Sequence, residues 1–187
     1  MAAMESNIGM ASTTDRSPCP LLTIAIPTFN RAQHLATFLS SLVPQLLGER
    51  RVELLISDNA SPDDTGEVVC GYSNRGISIR YIRSESNLGA DRNILQCYEQ
   101  AAGKYVWICG DDDVIEPFGL AKVLSYLDSE EDYDIVCLRA RGFSGEYKSR
   151  LPPKKQEVLI CGSAEDLACQ VHVFFTFISG IIRIIRR

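Results

Sequence analysis

Tyr105–Pro117, Tyr-Val-Trp-Ile-Cys-Gly-Asp-Asp-Asp-Val-Ile-Glu-Pro, is the stretch whose reading decides the fold. A short run of β-branched and aromatic residues stops at Gly110 in three consecutive carboxylates, and Pro117 then stands where a helix can begin. The pattern predicts a buried strand that delivers Asp111, Asp112 and Asp113 to its carboxyl end. Three adjacent acids repel one another, so each must be solvated, protonated or matched by a cation. Hard divalent ions such as Mg²⁺ or Mn²⁺ take oxygen ligands of this kind and share them with phosphates. A metal and diphosphate site at a sheet edge is therefore the first expectation. The plainer alternative is that Asp113 caps a helix whose first turn holds Pro117, with Glu116 near the positive helix end and the other acids solvated. A cap uses one acid and leaves the other two unexplained.

Upstream, Leu21–Ile26 is a continuous apolar run stopped by Pro27, as expected of a strand covered on both faces. After the loop Thr28–Arg31, Asn30 suits a helix cap, and Leu35, Phe38, Leu39, Leu42 and Leu46 recur at helical spacing, with a kink or early fraying expected at Pro44. Val52–Ser57 is the second strand. Asp58–Thr65 breaks it before a helix over Gly66–Tyr72, and Ile77–Ile82 alternates as a third strand with Ile77, Ile79 and Tyr81 on one face. Beyond Ser86–Ala90 a helix carries Ile94, Leu95, Tyr98 and Ala101 on its apolar side and closes at Gly103. Downstream of the acids come a helix over Phe118–Leu127, with Leu120, Val123, Leu124 and Leu127 spaced for burial, and a strand at Asp134–Leu138. Strands alternating with helices give an α/β fold: a Rossmann-like, doubly wound, mostly parallel sheet with helices on both faces and right-handed crossovers. Ligands of such sheets bind beyond the carboxyl ends of the strands. Three polar clusters fall there: Pro27–Arg31, Asp58–Asp64 and Asp111–Asp113.

A chain of 187 residues suits one such domain. The formal net charge of −5 and the absence of a Lys/Arg stripe argue against nucleic acid. Cys19, Cys70, Cys97, Cys109, Cys137, Cys161 and Cys169 form no CxxC pair and read as reduced core thiols of a cytosolic protein rather than a zinc site or disulfide frame. Met1–Pro20 has no apolar h-region and reads as a disordered leader, which leaves 21–187 as the domain. Val171–Ile185 is interrupted by His172 and Arg183 and is too short to span a bilayer. With Arg183, Arg186 and Arg187 beside it, peripheral contact with the inner membrane face stays open next to a buried strand or helix. Gly142–Lys155 reads as a surface loop or lid, Glu157–Cys161 as a short strand, and Ser163–Asp166 as the cap of a helix over Leu167–Phe175. The chain ends at Ile184-Ile185-Arg186-Arg187 in mid-pattern, as a domain incomplete at its carboxyl terminus would.

At the strand tips, Asp58 can accept a hydrogen bond from a nucleobase imide or a ribose hydroxyl, or it can close an Asx turn; for Asp63 and Asp64 the two readings stand level. Arg92 and Arg31 suit a phosphate contact as well as a surface ion pair.

Ile24–Arg31, Ile56–Thr65, Asn87-Leu88-Gly89 with Arg92-Asn93, and Gly103–Trp107 leading into Asp111–Asp113 together resemble, in order, the signature of glycosyltransferase family 2 with its GT-A fold, over about residues 21 to 140. The bacterial members that add sugars to surface polysaccharides, of the abequosyltransferase type, are the most similar. The resemblance implies a nucleotide-diphospho-sugar donor across the strand tips and Mn²⁺ or Mg²⁺ as cofactor. Pro27 and Phe29 would flank the base, Asp58 would hydrogen-bond it, and Arg92 would lie near the donor. Asp111 matches the ribose-side acid, Asp112 the metal ligand and Asp113 the acid that follows; Asp111 with Asp113 also forms a literal DxD, one residue out of that register. The implied reaction is an inverting, metal-dependent transfer to a saccharide or lipid-linked saccharide hydroxyl. The family's catalytic base follows a segment similar to Ser179–Arg183, and so would fall beyond Arg187; Glu165 and Asp166 are better explained as a helix cap. A donor-binding module without turnover is the alternative. A nucleotidyltransferase would need a glycine-rich phosphate loop near Pro27–Arg31, and none is present.

Overall fold

The computed structural model describes residues 19–138, 160–163 and 180–184. Its elements are β1 (Leu22–Thr28), α1 (Ala32–Leu46), β2 (Val52–Asp58), α2 (Thr65–Ser73), β3 (Ile79–Arg83), α3 (Ala90–Gln100), β4 (Tyr105–Ile108), α4 (Gly119–Leu127), β5 (Ile135–Cys137) and β6 (Gly180–Arg183). They form one sheet in the order β3-β2-β1-β4-β6-β5. β1 pairs in parallel with β2 and β4, and β2 with β3, whereas β6 runs antiparallel between β4 and β5. The mostly parallel, doubly wound sheet expected from the alternation is present. The reversed strand β6 is new: it lies inside the apolar stretch for which strand and helix were both open.

β1 is buried almost throughout, as a doubly covered strand requires, and its side chains divide between two clusters on the two faces. Leu22, Ile24 and Ile26 pack with Leu35, Phe38, Leu39 and Leu42 of α1, Val69 of α2 and Leu120, Val123, Leu124 and Leu127 of α4. Ala25 turns to the opposite face, where it meets Leu55 and Cys97 of α3. Tyr105 and Trp107 of the organising strand belong to the first cluster, as do Ile77, Ile79 and Tyr81.

Several local expectations are corrected. On α3 the inward stripe is Asn93, Cys97 and the following Ala101, while Ile94 and Leu95 are 38% and 41% exposed. The physical reason is polar: Ser57 presents a hydroxyl to this face of the sheet, and Asn93 accepts it at 2.6 Å while donating back to the Ser57 carbonyl at 3.0 Å. That buried pair fixes the helix rotation against the apolar count. Asn30 is not a cap; its φ of 55° is left-handed and its N–H donates to Ser61 Oγ. The first turn of α1 is satisfied from another loop, by Asp63 Oδ2 on Ala32 N–H at 2.8 Å, and α1 runs through Pro44 to Leu46 without early fraying. Nor does Asp113 cap α4, which starts at Gly119 after Phe118 in a left-handed conformation; Gln45 of α1 accepts Leu120 N–H there. Of the cysteines described, Cys97 and Cys109 are buried, but Cys19 and Cys70 lie at the surface and are not core thiols. Cys19 and Pro20, assigned to the leader, are hydrogen-bonded to the 102–104 segment. The expected features at 1–18, 139–159 and 164–179 lie outside the described residues. Among the described residues no helix is long and apolar enough to cross a membrane.

Two positions make the packing testable. Gly103 is not the end of α3, which stops at Gln100; a Cβ on it would stand 2.6 Å from the Thr23 backbone nitrogen. Gly103→Ala should therefore cost about 1–3 kcal/mol by urea unfolding, as overpacking against fixed backbone does, and an unchanged midpoint would show that the approach can relax freely. For Asp63, partial burial pushes its carboxyl up, but donation from Thr65 and the Ala32 N–H outweighs this and leaves its pKa below the usual value. Its stabilisation is present above the ordinary aspartate range and is lost as pH falls through the depressed value. Asp63→Ala should cost about 1 kcal/mol at neutral pH, and the gap to the unaltered chain should narrow in unfolding curves as pH is taken below the ordinary aspartate range.

Candidate functional site at the carboxyl ends of the strands

The strand order reverses between β1 and β4, the position at which doubly wound sheets open a cleft. β1 stays paired with β2 up to Thr28↔Asp58, but its register with β4 ends at Ala25↔Ile108, with one further bond from Cys109 N–H to the Ala25 carbonyl. The carbonyls of Leu21, just ahead of β1, and of Ala25 accept the Tyr105 and Cys109 N–H groups, so alternate, odd-numbered positions face β4. Pro27 is the next in that series and has no N–H to offer, so β4 can leave without stranding a donor. The acids occupy the gap so created.

Side chains close the gap again. Thr28 Oγ1 donates to Asp111 Oδ2 at 2.8 Å, and Arg31 reaches Asp111 Oδ1 at 3.2 Å and Asp112 Oδ2 at 2.9 Å. Asp111 is 4% exposed, so both its oxygens are committed to protein groups. Burial pushes its carboxyl up; the Thr28 hydroxyl and Arg31 act against this, and Asp112 adds to it. Arg31 is held protonated more firmly than usual, chiefly through its bond to Asp112. Asp112 and Asp113 are exposed at the rim, and Asp113 Oδ2 accepts Gly110 N–H at 3.0 Å. Both turn an oxygen toward Gly110: a Cβ there would lie 2.8 Å from Asp112 Oδ1 and 3.2 Å from Asp113 Oδ2. Glycine is what lets the two carboxylates fold over the chain.

Further donors and acceptors join the loops into one rim. Asn59 N–H donates to the Thr28 carbonyl, and its amide bonds Asn87, Leu88 and Gly89. Asp58 is fully enclosed. Its carboxylate accepts Ser61 N–H at 2.8 Å and the Tyr81 hydroxyl, and it pairs with Arg83 Nε at 3.3 Å. Burial, followed by this contact, raises the Tyr81 phenol well above its usual value. Asp63 closes an Asx turn onto Thr65 in addition to serving α1, so the turn reading holds for it. Phe29 is 40% exposed and Pro27 half-buried at the β1 tip. Arg92 is exposed at the start of α3 and forms no ion pair with a described residue. Thr28, Asn59, Ser61, Tyr81 and Arg83 had no individual role in the sequence reading. Only Thr28, Asn59 and Ser61 carried a signal there, as polar residues directly at strand ends.

The donor set suits a hard divalent ion only in part. Two carboxylates meet over Gly110, yet among the described residues no group of three or more His, Cys, Asp or Glu side chains could hold a metal. An open groove of about 630 Å³ lies between α1 and α4, lined by Pro44, Gln45 and Phe118 and reaching Val114, directly after the acids.

The family described as glycosyl transferase family 2 matches residues 23–185. Abequosyltransferase RfbV of Salmonella typhimurium is 41% identical over 113 residues, 60% of this chain and 34% of its own. The poly(ribitol-phosphate) β-N-acetylglucosaminyltransferase TarS of Staphylococcus aureus is 26% identical over 65% of this chain and 21% of its own. A crystal structure of TarS residues 1–349 superposes with a TM-score of 0.66 at 23% identity, covering 87% of this chain and 46% of that one. A mannosyltransferase of Pyrobaculum calidifontis, solved with GDP-Man and Mn²⁺, gives 0.58 at 20% identity over 70% and 40% of the two chains. The chain thus spans between a fifth and a third of the sequence relatives named here, and the fold it shares with the solved structures is GT-A.

Proposed function

Because the chain belongs to glycosyltransferase family 2, we propose that it binds a nucleotide-diphospho-sugar across the tips of β1, β2 and β4 and serves transfer of the sugar, with inversion, to an acceptor hydroxyl. The observation that carries this reading is the convergence of three polar clusters on one rim, pinned by Thr28 and Arg31 against Asp111. The neighbour solved with GDP-Man and Mn²⁺, and TarS solved with UDP-GlcNAc, lend it support.

In this reading the base lies against Pro27 and Phe29. Asp58, which hydrogen-bonds the base in this reading, must first release Tyr81 or Arg83, because its carboxylate is fully enclosed among Ser61, Tyr81 and Arg83. Asp111, fixed between Thr28 and Arg31, orients the ribose end. Asp112 and Asp113 hold Mn²⁺ or Mg²⁺ together with diphosphate oxygens, and such an ion neutralises charge gathering on the departing diphosphate. Arg92 meets the donor from the start of α3. The acceptor in this reading is a saccharide or lipid-linked saccharide, with cytoplasmic placement and contact at the inner membrane face, as the family resemblance implies. A donor-binding module without turnover is the second reading.

Mn²⁺-dependent binding of UDP-, GDP- and CDP-sugars, measured by calorimetry while transfer and hydrolysis are followed, tests both: saturable binding with turnover supports the enzyme, and without it the module. Asp112→Asn should weaken Mn²⁺-dependent nucleotide binding at least about tenfold, with a stability within about 1 kcal/mol of the unaltered chain, because relieved repulsion from Asp111 and Asp113 offsets loss of the half-exposed Arg31 pair. Undiminished binding in that variant would remove Asp112 from the site.

A further inference from the structure

Arg31 is held by its backbone on both sides. The Asn30 N–H is bound by Ser61 and the Ala32 N–H by Asp63, so the residue is a fixed pivot at the start of α1. Only its side chain is free to choose partners, and it spends its fork on the acid loop, one branch on Asp111 and the other on Asp112. The two branches differ in setting. The Asp111 side chain is 5% exposed, whereas that of Asp112 is 55% exposed, so the first contact is sheltered and the second is open to exchange. The Asp112 oxygen that Arg31 occupies belongs to the same carboxylate that turns its other oxygen over Gly110. Guanidinium and divalent ion therefore claim one carboxylate.

Resting on the reading of Asp112 and Asp113 as metal ligands, we propose that Arg31 is the acid loop's resident counter-ion: it opposes a divalent ion that arrives alone, and it yields Asp112 when a diphosphate is present to receive its guanidinium. The chemistry favours the exchange. A planar fork with fixed donors pairs with phosphate oxygens as readily as with a carboxylate, and the pivot keeps it beside the acids throughout. Metal and nucleotide then bind with positive coupling, part of which runs through Arg31, and by linkage each tightens the other by the same factor.

The test measures Mn²⁺ binding by the paramagnetic resonance of free Mn²⁺, first without nucleotide and then with saturating UDP or GDP. The 187-residue chain, Arg31→Gln and Asp112→Asn are compared. Arg31→Gln is expected to bind Mn²⁺ alone about three- to fivefold more tightly, the range set by a half-exposed ion pair, and the nucleotide's gain in Mn²⁺ affinity is expected to shrink by a similar factor. Mn²⁺ affinity that is unchanged or weaker in Arg31→Gln, or a nucleotide gain of full size, overturns the proposal. Asp112→Asn separates the two levels. If it binds Mn²⁺ as the unaltered chain does, the ligand assignment fails and the inference falls with it; if it loses Mn²⁺ while Arg31→Gln matches the unaltered chain, the inference alone fails. Should Arg31→Gln prove too unstable once Asp111 loses its partner, Arg31→Lys keeps the charge without the fork. It is expected to leave Mn²⁺ alone within twofold of the unaltered chain and still to reduce the nucleotide's gain, and a full gain there is equally decisive against the proposal.

Discussion

One constraint runs through this molecule: a strand buried on both faces ends in three successive carboxylates, and the innermost cannot reach water. Asp111 is accommodated by a hydroxyl from the neighbouring strand and a guanidinium from the loop that follows it. Those two contacts bring the tip of β4 back to the tip of β1 after the backbones have parted, and the cleft between them takes its width from that detour. Take away either partner and a nearly enclosed charge is left half-compensated, which is far costlier than losing a contact between solvated groups.

What the amino-acid sequence made legible follows from how strongly each signal is dictated by burial. The run Leu22–Ile26 and the spacing Leu35, Phe38, Leu39, Leu42 are imposed by a core covered from two sides, and both appear as expected. The acids at the end of β4 were legible for the opposite reason, since no packing demand explains them. α3 was misread because its orientation is settled by a buried polar pair, Ser57 with Asn93, that a count of apolar residues cannot register. β6 was hidden for a different reason: four residues with ordinary composition give no hint of which strands they will join, or in which direction.

The same division holds at the site. Positions at the strand ends were found because their location follows from topology alone. Their partners were not, because the contacts are long-range. Asp63, two residues ahead of α2, accepts from Thr65 of that helix and also serves the first turn of α1; Gln45 serves the first turn of α4 in the same way. Tyr81 was counted, correctly, as a core-facing residue of β3, yet its hydroxyl ends on Asp58. One side chain thus fills a hydrophobic layer with its ring and a polar one with its tip.

The position of β6 has a consequence for how the chain is made. β4 and β5 are not neighbours; they are joined by a strand contributed from much later, Tyr105↔Arg183 on one side and Cys137↔Gly180 on the other. During synthesis, the amino-terminal part can assemble β1 to β4 around its own core while the far edge of β4, apolar and unprotected, waits for residues not yet emerged. An exposed strand edge of that kind invites pairing with other chains. Insertion of Ile181 between its two neighbours both completes the sheet and ends that period of vulnerability.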